Sequence, residues 1–166
     1  MTTAAGHRLH PTQIDLREDV REGLVDLLNR QLADTADLAS QLKQAHWNVK
    51  GPDFQQLHEL FDGVHDAIEP FVDMLAERVT ALGGTALGTV RMAAQASSLP
   101  EYPEAVTGRQ HLEALQARVA AYAGSTRAAI RRADELDDPT TADLFTEVSR
   151  EVDKQLYFVE SHLQGG

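Results

Sequence analysis

Histidine and carboxylate side chains recur at four-residue spacing in two places along this chain. In "KQAHWNVKGPDFQQLHELFD", residues 43–62, His58 and Asp62 stand four apart and His46 precedes a Gly51–Pro52 break. In "DMLAERV", Asp73 and Glu77 repeat that spacing. Residues four apart on a helix share a face, so each pair is a ready-made two-donor clamp. There is no cysteine, and imidazole with carboxylate but without thiolate suits iron(II), manganese or zinc. For any one of these residues taken alone, a solvated helix face is the simpler account.

The elements carrying them must explain how the two pairs meet. At about 1.5 Å of rise per residue, Asp62 and Asp73 lie roughly 16 Å apart on one helix. Metal–ligand bonds are about 2 Å long, so one helix cannot bring both pairs to one ion. Two antiparallel copies can. With a two-fold axis between Ala67 and Ile68, His58 faces Glu77 of the second copy and Asp62 faces its Asp73, because each pair is equidistant from the axis. Such an interface is self-complementary. His46 reaches in beside His58 after the Gly51–Pro52 turn, giving two equivalent sites per dimer.

The periodicity predicts the supporting helices. Apolar residues recur at helical spacing from Leu16 to about Trp47. Phe54, Leu57, Phe61, Val64, Ile68, Phe71, Leu75, Val79 and Leu82 then form one stripe ended by Gly83 and Gly84. Pro70 interrupts that helix, yet the stripe keeps its phase, which predicts a kink rather than a turn. The Gly-, Ser- and Pro-punctuated stretch 85–108 reads as a crossover with a short helix near Val90–Ala96. A third helix is predicted from about Arg109 to Leu136. A fourth follows "DDPTTAD", with Thr140 or Thr141 as its cap, through Leu144, Val148, Val152, Leu156 and Val159. This is an all-α, ferritin-like four-helix bundle with a long crossover between the second and third helices. The expected organisation is a flexible tail over 1–15, one domain over 16–163 and a short tail over 164–166.

Bulk composition narrows the function. A formal net charge of -11 opposes whole-surface attraction to nucleic acid or anionic membrane. No run of about eighteen apolar residues offers a membrane span, and the N-terminal stretch lacks the apolar core of a secretory signal. A cytoplasmic location is expected.

At these residues the chain closely resembles the Dps family, the mini-ferritins or DNA-binding proteins from starved cells. The carriers are "AHWNVKG", "LHELFDG" and "DMLAERVTALGG", supported by "LPEYP" and "SREVDKQLYFVES". The similarity spans about Leu16 to Leu163. It implies a twelve-subunit homo-oligomeric cage that oxidises iron(II), preferentially with hydrogen peroxide, and stores the ferric mineral. His46, His58 and Asp62 of one subunit would meet Asp73 and Glu77 of its partner, with zinc or manganese as competing ions. By the same resemblance, Trp47 is a candidate electron donor beside the iron; otherwise it anchors the first helix. Asp134, Asp138 and Asp143 resemble an acidic iron-entry pore, the alternative being helix capping and solvation. His65 and Glu69 lie on the ligand-bearing side, His65 being an auxiliary metal contact or an interfacial histidine. Arg78 and Lys154 are expected to pair with helix carboxylates. Compaction of DNA is the runner-up function. The tail offers Arg8 but no lysine, so DNA binding near neutral pH is expected to be weak or absent. A zinc hydrolase using the same ligands ranks third.

Overall fold

The computed structural model describes residues 9–164. Among these it has six helices: α1 (Glu18–Asn48), α2 (Phe54–Ile68), α3 (Pro70–Ala81), α4 (Val90–Ala96), α5 (Gly108–Glu135) and α6 (Pro139–Ser161). The described residues contain no strand, only an isolated bridge between Lys50 and Thr107. α1, the α2–α3 rod, α5 and α6 form the bundle, and α4 lies in the crossover against α1. The predicted short helix falls on the expected residues.

Glu69 keeps right-handed helical angles, φ -54° and ψ -41°, between α2 and α3. Its amide bonds the His65 carbonyl at 2.8 Å, and the Val72 amide bonds the Glu69 carbonyl at 3.0 Å. The rod is therefore locally tightened where Pro70 supplies no N–H, and it continues beyond. The apolar stripe survives because helical rotation never stops.

Behind the stripe the core has two halves. Leu42, Ala45, Val49, Leu57, Phe61, Val64 and Ile68 belong to one, and Leu24, Leu28, Leu32, Leu75, Val79 and Phe145 to the other. A polar layer falls between them: Thr35 and Tyr122 share a 2.5 Å hydroxyl contact, and Thr126 donates to Gln31. Burial pushes the Tyr122 phenol up to about 12. It stays neutral and able to donate.

The crossover is tied down by buried polar side chains, which is how its backbone groups are satisfied. Asp34 accepts from the Ser98 amide at 2.6 Å, and Arg118 donates to the Glu101 carbonyl and to Gln41.

Two expectations need correction. The flexible tail over 1–15 is held in its second half: Leu9 and Ile14 pack on the core, and the His10 amide donates to the Gly83 carbonyl at 2.7 Å. Extended segments carry no helical periodicity, so this docking had no signature. Residues 1–8, including Arg8, and residues 165–166 lie outside the described residues. The cap of α6 is Asp138 rather than Thr140 or Thr141, because Pro139 takes the first helical position and the Thr140 amide donates to Asp138 at 3.2 Å.

The His10 contact also makes Gly83 sensitive. Its φ is +88°, and an added Cβ would lie 2.4 Å from the His10 carbonyl oxygen. Gly83→Ala should therefore destabilise by about 1–2 kcal/mol, measured as a lower melting midpoint. Gly124→Ala, in a helix with open space around the added methyl, should instead stabilise by about 0.5–1 kcal/mol.

Candidate metal site

The Gly51–Pro52 turn, with Gly51 at φ +118°, folds the end of α1 back beside the start of α2. That reversal brings His46 and His58 together. Their rings stack with centroids 3.7 Å apart. His46 Nδ1 lies 2.8 Å from the His58 carbonyl oxygen, and His58 Nδ1 lies 2.9 Å from the His46 carbonyl oxygen. A carbonyl only accepts, so both Nδ1 atoms carry the proton and donate. Both Nε2 atoms are then left with a lone pair, the tautomer a metal requires. Each histidine is oriented by the backbone of the other.

Asp62 completes this half. Its Oδ1 is 3.8 Å from His46 Nδ1 and is bonded by the Lys43 ammonium. The Lys43 bond is the largest influence on the Asp62 carboxyl and holds it below the usual range; partial burial opposes this, and the charge of His46 assists. The carboxylate is thus ionised and already paired with a cation. Lys43 was not singled out from the sequence, although it sits three residues before His46 and so shares its face.

Asp73 and Glu77 lie on the exposed side of α3, while Phe71, Leu75 and Val79 of the same helix are buried. Within one chain the two donor pairs remain separate. His46 stacks on His58 and Asp62 approaches His46; Asp73 and Glu77 are displayed outward, one on each successive turn.

The C-terminal end of α3 is fixed by Arg78. Its Nη2 donates to Asp138 Oδ2 at 2.9 Å and its Nε to Thr141 Oγ1 at 2.9 Å. The expected ion pairs of Arg78 and Lys154 are both present, Lys154 with Glu151 at 3.0 Å. Asp138 is accordingly committed to Arg78, Thr141 and the cap, with its side chain only 4% exposed. For this residue the capping alternative holds in the subunit, because a largely covered Arg78 left without its partner would be costly. Asp134 and Asp143 are exposed.

Trp47 is 65% exposed and does not anchor α1 in the core of the subunit. The helix turn that places His46 inward turns the adjacent indole outward.

The bundle and its crossover are of the ferritin-like class. A family model described as "Ferritin-like domain" matches residues 25–165. A "DNA protection during starvation protein" of Agrobacterium fabrum is 43% identical over 158 residues, spanning 95% of this chain and 98% of that one. The structure of DpsC from Streptomyces coelicolor superposes with a TM-score of 0.91 at 32% identity, covering 100% of this chain and 98% of the other. Mycobacterium smegmatis Dps gives a TM-score of 0.90 at 30% identity, with 96% of each chain covered. The chain belongs to the Dps family of ferritin-like proteins. That family is one of iron storage and protection under stress. No helix among the described residues is long and apolar enough to cross a membrane.

Proposed function

We propose that this protein oxidises iron(II) at sites shared between two subunits and stores the ferric product inside a closed homo-oligomer, a dodecamer. The observation that carries this reading is the reciprocal orientation of His46 and His58, which leaves the Nε2 lone pair of each ring available, with an ionised Asp62 next to His46. Asp73 and Glu77 of a second copy supply the remaining donors under the two-fold register. Five donors, two of them imidazole and three carboxylate, fit iron(II) as substrate, with zinc and manganese as competitors.

Hydrogen peroxide is the preferred oxidant in this reading. Two iron(II) ions each give up one electron; one peroxide accepts both with two protons and leaves as two waters. The carboxylates stabilise the increased charge on iron. Before iron arrives, Lys43 neutralises Asp62, so loading requires the ammonium to give way. Trp47, next in sequence to His46, is the electron donor for any one-electron step. Asp134 and Asp143 form the cation-attracting part of the entry route, with Asp138 shaping it through Arg78.

Iron(II) added anaerobically and followed by peroxide tests the chemistry. Ferric absorbance should rise without trapped hydroxyl radical, and the iron should co-migrate with a particle of about twelve subunits. Radical formation in proportion to iron would remove the ferroxidase reading. Hydrolysis of ester or peptide substrates by the zinc-loaded protein would favour the hydrolase instead.

A second reading, DNA compaction, is favoured by the names of relatives such as the Agrobacterium fabrum protein. It is not exclusive of the first. Affinity for duplex rests on cations that neutralise phosphates, and the chain carries a formal -11 with no lysine before Lys43. A mobility-shift titration at moderate salt should show weak or no binding near neutral pH, increasing in mildly acid solution as histidines gain charge. Tight, salt-resistant binding at pH 8 would contradict this.

A further inference from the structure

One helical face continues past Asp62. His65 and Asp66 follow it by three and four residues, the spacing that stacks side chains along a helix. One carboxylate oxygen from each aspartate and one ring nitrogen of His65 lie within 4.8 Å of one another. His65 Nδ1 is 3.1 Å from Asp66 Oδ1, and the His65 side chain is only 18% exposed. Lys43 engages Oδ1 of Asp62, and a carboxylate has a second oxygen for another partner.

A plain surface ion pair between His65 and Asp66 would contribute at most about 1 kcal/mol, whereas a cation could be shared by all three side chains that the helical spacing brings together. We infer that Asp62, His65 and Asp66 form a second divalent-cation site, distinct from the oxidation site but sharing Asp62 with it. The inference rests on the proposed interface for that sharing and for one further donor, Glu69 of the second copy; the three residues of one chain stand without it. One imidazole and two carboxylates suit zinc, manganese or iron(II) rather than calcium or magnesium, which prefer all-oxygen shells. The two-fold register adds a further donor: Glu69 is as far from the axis as Asp66, so the second copy presents its Glu69 opposite Asp66. A cation held here lies between one and two helical turns beyond His58 and shares a carboxylate with the oxidation site, a staging position for iron(II).

Equilibrium dialysis with zinc(II), a redox-silent probe, tests the site by stoichiometry. Wild-type protein should bind one more ion per subunit than His65→Gln, and Asp66→Asn should show the same loss or at least tenfold weaker binding of that ion. His58→Ala should lose a different ion and keep this one. Asp62→Asn should lose both. Unchanged stoichiometry and affinity in both His65→Gln and Asp66→Asn would overturn the inference while leaving the interface site standing. If His58→Ala binds as wild type and the two other variants each lose an ion, the second site is supported and the interface reading fails. Circular dichroism and gel filtration of each variant confirm that the losses are local.

Discussion

His58→Ala and Glu77→Ala chains should each lose iron oxidation by 100-fold or more, and a mixture of the two should recover part of it. Removing even a supporting partner of a metal ligand commonly costs roughly 10- to 100-fold, and these are ligands in the proposed site. A homodimer of either variant has the same defect in both of its sites. A mixed dimer does not. Its first site takes His58 from the Glu77→Ala chain and Glu77 from the His58→Ala chain, and is whole; its second site carries both defects. Random mixing makes about half of the interfaces mixed, so about a quarter of wild-type sites return. The experiment reads initial ferric absorbance after subunit exchange, with mixed dimers verified by mass. Verified mixed dimers without recovery would show that the two donor pairs do not share one site.

Asp138→Ala should be among the most destabilising single changes in the subunit. It removes the α6 cap and leaves Arg78, which is itself largely covered, without its carboxylate. Stranding one member of a buried pair costs about 3 kcal/mol or more, and in a chain of this size that lowers the melting midpoint by roughly 6–12 °C. Glu77 precedes Arg78, so loosening this anchor also loosens the carboxylate half of the metal site. The pH dependence has a definite sign. Burial by itself raises the Asp138 carboxyl, but the Thr141 and Arg78 bonds and the Arg78 charge together hold it below its ordinary 3.8. A depressed folded-state value means that the stabilisation is present above the unfolded value and is lost as pH falls through the folded one. Wild-type and variant melting curves should therefore differ fully at neutral pH and converge in strong acid. A difference that persists unchanged at pH 2 would show that the ionised pair is not the source.

What could be read from sequence was whatever repeats. The Phe54–Leu82 stripe gave the α2–α3 rod and its persistence through Pro70, because the phase of apolar residues reports helical rotation directly. The crossover and its Val90–Ala96 helix were visible from punctuation and spacing. The reunion of His46 with His58 followed from the Gly51–Pro52 reversal between them. Pairings between distant residues were less legible. Lys43 meets Asp62 from another helix, and Arg78 meets Asp138 across 60 positions. Periodicity names the face a residue occupies but not which side chain on the next helix will lie opposite. For the same reason the commitment of Asp138 to Arg78 was not visible among the aspartates around the α5–α6 break, where Asp134 and Asp143 are exposed. The docking of Leu9 and Ile14 was hidden for another reason: extended chain on a surface has no period that a short segment can display.

The central claim is that one ion is held by residues of two chains. Anomalous diffraction from crystals soaked in zinc(II) or anaerobic iron(II) locates the ion without reference to activity. The expected density lies at a two-fold interface, coordinated by His46, His58 and Asp62 of one subunit and by Asp73 and Glu77 of the other. An ion bound only by residues of a single chain, or an interface in which His58 and Glu77 do not face one another, would contradict the account.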